Sequence, residues 1–380
     1  MHMISPRSSE VRVVDRDQLD ASFAQHLDAL ARSAIEPNVF LESWMLMPAL
    51  AHLEVPALIL VTVWSLSGML TGLFPLQLCA RYRGLPMRSL RSWEHDYAFL
   101  NTPLVAAAHA PETIRAFLEW TRSDQAPAHL LDLHMLRADG PFMRALMAET
   151  AADRRFATQV TTWTRALHDR TATSTTQVSA KHLKELRRQE RRLGEIGALG
   201  YTVLAAEAPV DPWIRRFLEL EARGWKGGEG TALEIARGGR AFFESIVRAA
   251  HARGQLRMLE LSVDGMAVAM KCDFIGADGL FMFKIAYDEA YARHSPGVLL
   301  ELFGLQQLET SGSPIAWMDS CARSDHFMAN RLWTGRRQLA DCSISGRGLL
   351  ARWIIRRADL LRSLRKRMAA LRKRGVHALA

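Results

Sequence analysis

The sequence predicts a mixed α/β fold: two similar halves built on mixed sheets, followed by a basic amphipathic helix. Three observations predict it. Residues 181–344 show helical and strand periodicities in a distinctive order, a hairpin-like segment near residue 65 recurs near residue 262, and the last 36 residues gather the positive excess. The expected units are residues 1–165, 166–344 and 345–380.

In the second half, Lys181–Ile196 (KHLKELRRQERRLGEI) reads as a charged helix and Tyr201–Ala205 as a short strand. Pro212–Arg223 reads as a helix with Asp211 as N-cap and proline at its first position. Gly224–Leu233 (GWKGGEGTAL) reads as a loop, because its closely spaced glycines disfavour a helix. Arg240–Arg253 is a helix closed by Gly254, and three strands follow: Arg257–Val263, Met266–Ile275 after an Asp-Gly turn, and Leu280–Tyr287 after a second one. Pro296–Thr310 is a helix, Ile315–Asp319 a strand, Asp325–Leu332 a short helix and Gln338–Ile344 a last strand.

In the first half, Val55–Ala80 carries no charge over 26 positions, long enough to cross a bilayer. The β-branched run Leu58–Trp64, the turn Ser65–Gly68 and the breakers Thr71, Gly72 and Pro75 instead predict two buried strands in a hairpin.

Composition narrows the function classes. Hydrophobic residues make up 49% of the chain, enough for more than one core, while 24 Gly and 14 Pro in 380 residues exclude collagen-like and linker-dominated chains. Cys79, Cys272, Cys321 and Cys342 form no CxxC pair, which argues against zinc fingers, thioredoxin-type sites and disulfide scaffolds. Met1–Leu30 mixes Arg, Glu and Asp without an apolar run, so no secretory signal is read and a cytoplasmic location is expected. The net charge of +9 resides in the tail, where eleven Lys/Arg after Ser345 face Asp359 alone, and the rest of the chain is close to neutral.

The element order of the second half resembles the GNAT acyltransferase fold. SLSGML (Ser65–Leu70) and SVDGMA (Ser262–Ala267) stand 197 residues apart, and FLESW (Phe40–Trp44) is similar to part of FLELEARGW (Phe217–Trp225). Two GNAT-like halves in one chain resemble the FemAB-type transferases and the CelD-like acyltransferases named for cellulose biosynthesis. The segments FPLQLCARYRGLPMRSLRSWEHDYAFLNTPL, LKELRRQERRLGE, LELEARGWKGGEGTAL, FKIAYDEAYARHSPGVLLEL and MDSCARSDHFMANRLWTGRR resemble the CelD-like branch, over roughly residues 36–340. The resemblance implies acyl-CoA as co-substrate, an amine acceptor and no metal.

The same resemblance points to YDEAYARHSPGVLL (Tyr287–Leu300) as the loop and helix start that hold the coenzyme's diphosphate, through backbone N–H groups and the helix dipole. Arg293, His294, Ser295, Gly297 and Val298 are its candidate residues, in a degenerate version of the family's glycine-rich loop, with Lys284 as a candidate phosphate contact. Asp319, Ser320 and Cys321 with Asp325 and His326 form the strongest candidate catalytic cluster, His326 as general base oriented by Asp319 or Asp325. The other reading makes Asp325 a helix cap and His326 a surface residue. Trp225 and Lys226 suit acceptor recognition, or Trp225 plugs the interface between the halves. Tyr287 flanks the coenzyme strand, and Cys321 is a candidate substrate contact or an inert buried thiol. His95, in Trp93–Tyr97, either reaches the second half's cleft or ties down a loop.

The charged helix Lys181–Ile196 reads as a solvated face, since Glu185, Glu190 and Glu195 interleave with its cations, rather than as an RNA contact. In the tail, Leu350, Trp353, Ile354, Leu361, Leu364, Met368 and Leu371 line one helical face and arginines occupy the rest. That pattern suits an anionic bilayer surface, with packing on the body as the other reading and nucleic acid not expected. The expected function is N-acylation by an acyl-CoA at the inner-membrane surface, of a lipidic amine such as a sphingoid base, as in bacterial ceramide synthases. An amino-sugar N-acetyltransferase and a non-catalytic scaffold are the other readings.

Overall fold

The computed structural model describes residues 9–346, apart from 55, 154–156, 172–178, 229, 231 and 311, together with Trp353, Ile355 and Arg357. The first half runs β1 (Ser9–Val14), α1 (Ala21–Ser33), α2 (Ser43–His52), β2 (Ile59–Ser65), β3 (Leu70–Cys79), β4 (Ser89–Ser92), β5 (Leu104–Val105), α3 (Ala110–Trp120), β6 (Leu131–Arg137), α4 (Pro141–Ala152) and β7 (Ala157–Asp169). The second runs α5 (Ala180–Gly194), β8 (Leu199–Val203), α6 (Asp211–Arg223), α7 (Trp225–Gly228), α8 (Gly239–Ala252), β9 (Leu256–Val263), β10 (Met266–Gly276), β11 (Gly279–Tyr287), α9 (Pro296–Thr310), β12 (Trp317–Asp319), α10 (Phe327–Leu332) and β13 (Gly335–Ile344).

Among the described residues the strands form one sheet, ordered β1-β2-β3-β4-β6-β13-β7-β12-β11-β10-β9-β8, with β5 on β3. Read from either edge the order is the same: three antiparallel pairs, one parallel pair, then two antiparallel pairs to the centre. The two halves are therefore related by a local dyad between β13 and β7. Those central strands are exchanged: β7 leaves the first half to pair with β12, and β13 leaves the second to pair with β6. The boundary expected at 165/166 thus falls inside β7, whose pairing with β13 runs from Ala157↔Ile344 to Leu167↔Gly335.

The repeat is visible in the hairpins. Ser65–Leu70 joins β2 to β3, and the Asp264-Gly265 turn, both residues at positive φ, joins β9 to β10 at the same topological place. The charge-free stretch is this first hairpin, and among the described residues no helix is long and apolar enough to cross a membrane. The second expected repeat does not hold, because Phe40–Trp44 leads into α2 whereas Phe217–Trp225 spans α6 and α7.

One core crosses the midline. Phe40, Trp44 and Leu46 from the first half pack with Phe217, Phe243, Phe274 and Phe283 from the second, on the face carrying α1, α2, α6 and α8. Burying each such side chain contributes about 1.5–3 kcal/mol, so this shared layer sets the halves against one another. On the opposite face α3 and α4 cover the first half and α5, α9 and α10 the second. Two details depart from expectation. Asp211 is the first residue of α6, not its cap, and its carboxylate accepts from Arg248 Nε at 2.7 Å. The glycine-rich segment also contains the short helix α7. Of the apolar tail face only Trp353 lies within the described residues, and it is 54% exposed with the Arg357 guanidinium 4.8 Å from its ring centre. Ile355, which that face omits, is buried against Tyr82 and Leu130.

Candidate functional site

The sheet opens in the middle of the second half. β11 and β12 pair only through Gly279↔Trp317, Leu280↔Met318 and Phe281↔Asp319, after which β11 runs on to Tyr287. The chain after β12 follows β7 instead, with the Ser320 amide donating to the Ala166 carbonyl. An open strand edge inside a sheet offers unpaired backbone groups to an extended ligand.

Asp319 turns the chain aside. Its carboxylate is fully buried and shared by two arginines from the exchanged strands: Arg165 Nη2 and Arg337 Nη1 donate to Oδ2 at 2.7 and 2.6 Å, and Arg165 Nε lies 2.5 Å from Oδ1. The Cys321 amide donates to Oδ1 at 3.0 Å, which fixes Cys321 in the left-handed region. Burial raises the carboxyl's proton affinity, but the two guanidinium groups outweigh it and hold Asp319 below the usual carboxylate range. Asp319 is therefore a permanent anion locking β7, β12 and β13 together; removing one partner from such a buried group costs about 3–5 kcal/mol.

On the α6/α8 face of the opening, a bulge in β11 sends two successive residues the same way. The β10 register jumps from Cys272↔Lys284 to Asp273↔Met282, leaving Phe283 as the extra residue. Phe283 packs on Phe274, Phe243, Tyr97 and Phe99. Lys284 Nζ lies 3.1 Å from Glu221 Oε1 and 5.2 Å from the Tyr97 ring centre. Glu221, on the buried stripe of α6, also accepts the Leu233 amide at 2.8 Å. Burial, with Glu221 and Asp96 nearby, pushes the Tyr97 phenol up to about 12, so it stays a neutral donor. Lys284 is thus not beside the helix start expected to hold phosphate, since Ile285 and Tyr287 are the β11 residues that face α9.

At that helix start, residues Glu289–His294 form a 3₁₀ turn, Ser295 sits at φ 52°, and Pro296 opens α9. Arg293 Nε donates to His294 Nε2 at 3.0 Å. His294 is buried, and burial together with Arg293 and Arg192 lowers its proton affinity. The Val298 and Leu299 amides both donate to the Ser295 carbonyl, so the Val298 N–H expected to serve a ligand is used within the helix. Gly297 lies against Tyr287 and Ile285; a Cβ there would come within 3.4 Å of Ile285 Cδ1. α5 packs directly on this turn and on α9. A compact start of α9, a glycine at its first turn and basic residues beside it fit an anionic group.

The expected base cluster does not assemble. His326 caps α10, its Nδ1 accepting the Ala329 amide at 3.4 Å, and its ring lies parallel to that of Phe327. Both oxygens of Asp319 are taken up elsewhere, and Asp325 is exposed. His95 reaches the second half, meeting Phe242 edge-on at 6.1 Å, but burial drives it down to about 4. Its Nδ1 accepts the Tyr97 amide at 3.3 Å, which leaves the neutral ring's proton on Nε2 and disqualifies it as a base. Burial, with Asp319 adjacent, pushes the Cys321 thiol up, which disfavours the thiolate there. Trp225 and Lys226 lie on α7, directly after α6, where Gly224 approaches the Tyr287 carbonyl.

Glu221, Tyr97, Arg165 and Arg337 are absent from the expected set. A signal existed: Glu221 falls on the apolar stripe of α6, at Phe217 plus four, and Lys284 interrupts the apolar run FMFKIAY. The same signal marks Lys271, fully buried on β10 with Asp273 and Glu301 at 3.0 and 2.6 Å.

Residues 180–327 match the family model described as an acetyltransferase (GNAT) domain. The second half carries a GNAT domain. Its opening between β11 and β12 and the start of α9 fall inside the matched region, whereas the exchanged strand β7 and the first half lie outside it. No curated protein matches the chain in sequence. Among solved structures, the fold is similar to the C-terminal domain of a putative lysylphosphatidylglycerol synthetase from Agrobacterium fabrum (TM-score 0.53, 14% identity, 90% of this chain and 97% of that one). It is also similar to FemX (0.54, 9%, 89% and 97%) and to a conserved protein of unknown function from Bacteroides thetaiotaomicron VPI-5482 (0.52, 12%, 89% and 100%). The GNAT domain thus sits in a mixed α/β architecture that these solved chains share over nearly their full length.

Proposed function

We propose that the protein is an acyl-CoA-dependent N-acyltransferase that works at the inner-membrane surface and acylates a lipidic amine, with a sphingoid base as the favoured acceptor. The observation that carries the reading is the opening of the sheet beside β11, with the start of α9 on one face and Lys284, held by Glu221, on the other. When bound, the coenzyme supplies an activated acyl carbonyl and a thiolate leaving group. Gly297 and the first turn of α9 bind its diphosphate, and β11 beyond its last pairing with β12 aligns its extended arm. The amine nitrogen bonds the acyl carbon, the C–S bond breaks, and the amine's proton passes to water. Lys284, oriented by Glu221 and pressed on Tyr97, donates to the oxygen on which negative charge develops. The aromatic wall of Tyr97, Phe99 and Phe283 favours an apolar acceptor. Trp353 beside Arg357, at the start of a strongly basic tail, supports a membrane-borne one.

Lys284→Met is expected to lower turnover by ~100-fold while CoA affinity stays within about twofold. Because this variant takes Lys284 away from the buried Glu221 carboxylate, the Glu221→Gln/Lys284→Met double variant is measured beside it and is expected to show the same loss. Near-normal turnover in either variant would remove Lys284 from the reaction.

A further inference from the structure

The apolar pattern of α9 does not say which side of the helix should meet the sheet. At about 100° per residue, Leu299, Leu300, Leu302, Leu305 and Leu308 point all around its axis. Such a helix is readily buried. Contacts between leucines are non-directional and nearly interchangeable, however, so they specify its rotation poorly. Before Glu309 the helix carries one charge, Glu301.

Gly297, Glu301 and Gly304 follow one another at spacings of four and three residues and so share a face. That face crosses three neighbouring strands. Gly297 lies against Ile285 and Tyr287 of β11, Glu301 Oε2 lies 2.6 Å from Lys271 Nζ of β10, and Gly304 lies against β9, where a Cβ would come within 2.8 Å of Leu259 Cδ1. The glycines permit the close approach, and the ion pair gives it a direction. Lys271 and Glu301 are both fully buried, Asp273 Oδ2 lies 3.0 Å from the same ammonium, and Arg257 Nη2 donates to the Gly304 carbonyl at 2.7 Å. A slip of one residue would turn α9 by about 100° and carry the Glu301 carboxylate off Lys271 into apolar surroundings, a strongly unfavourable exchange. Lys271 also stands directly across from Ile285, the residue that Gly297 touches. The pair therefore sits one helical turn from the position expected to hold the donor's diphosphate. We propose that Lys271 and Glu301 are positioning residues of the donor site, which fix the rotation of α9 so that Gly297 and the first turn are held against β11. The inference rests on the acyl-CoA reading above and adds to it the residues that orient the donor helix.

The test sets CoA affinity, from titration calorimetry, beside thermal unfolding in the full chain and three variants. Lys271→Met/Glu301→Met removes the pair at nearly constant volume and leaves Asp273 with Arg257, 3.7 Å away, so the remaining buried charges stay balanced. Glu301→Gln keeps an oxygen for the Lys271 ammonium. Leu308→Ala removes a buried apolar contact at the far end of α9 and serves as the stability control. The double variant is expected to bind CoA at least tenfold more weakly while melting no lower than Leu308→Ala. Glu301→Gln should recover the affinity to within about threefold of the unaltered chain, and Leu308→Ala should melt earlier yet bind CoA normally. Unchanged affinity in the double variant, its failure to fold, an equal loss in Leu308→Ala, or no recovery in Glu301→Gln would each overturn the proposal while leaving the acyl-CoA reading intact. An unaltered chain that binds no CoA would overturn that reading itself.

Discussion

At the scale of single residues, the informative positions are charges inside apolar surroundings. Lys284 and Glu221 define the proposed acceptor side, and Asp319 with Arg165 and Arg337 holds the sheet open. The first half has its own buried network where β4 parts from β6. His134 lies between Asp132 (3.0 Å) and Glu94 (3.1 Å), while Arg83 and Ser343 also bind Asp132. Burial would lower the His134 proton affinity, but the hydrogen bonds its ring donates to the Asp132 and Glu94 carboxylates outweigh it and raise the group to about 9. A raised folded-state value means this contribution to stability is fully present below the unfolded value of about 6.5 and is lost as pH rises through about 9. Thermal unfolding between pH 6 and 9.5 is therefore expected to show a steeper decline for the unaltered chain than for His134→Asn. Parallel curves would mean that His134 is not held charged.

Among the elements, the second-half strands and α9 were legible in the sequence because Asp-Gly turns and apolar periodicity mark their ends. The exchange of β7 and β13 was not, since strand periodicity says which face a side chain takes but not which neighbour the strand chooses. That exchange brings Arg165 and Arg337 onto Asp319 from positions 154 and 18 residues away, and it left His326 as the more visible partner from sequence alone. α5 was legible as a helix and as a charged face; its packing on the turn before α9 was not, because that contact is tertiary. The start of α9 gives a direct check. Gly297→Val adds methyl groups against Ile285 and Tyr287 at the expected anion position, and CoA affinity should fall at least tenfold, about 1.4 kcal/mol. A folded variant with unchanged affinity would move the donor site away from α9.

For the whole molecule, the local dyad, the continuous sheet and the shared core make the halves one structural unit in which the first half supplies a wall of the second half's site through His95, Tyr97 and Phe99. The segment carrying those residues also binds the first half's network, since Glu94 meets His134 and accepts from the Asn101 side-chain amide, while the Phe99 carbonyl accepts from Arg165. The start of the tail is tied to the first half by Ile355, with Trp353 outward. The reaction proposed for this molecule is amide formation between a fatty acyl thioester and a lipidic amine. Its most direct test is mass spectrometry of lipids extracted after the purified full chain has been incubated with a fatty acyl-CoA and anionic vesicles carrying a sphingoid base. The expected product is an N-acylated base that accumulates one-for-one with free CoA thiol and is lost in Lys284→Met. Thiol release without amide, or no consumption of the thioester in the presence of the lipidic amine, would contradict it.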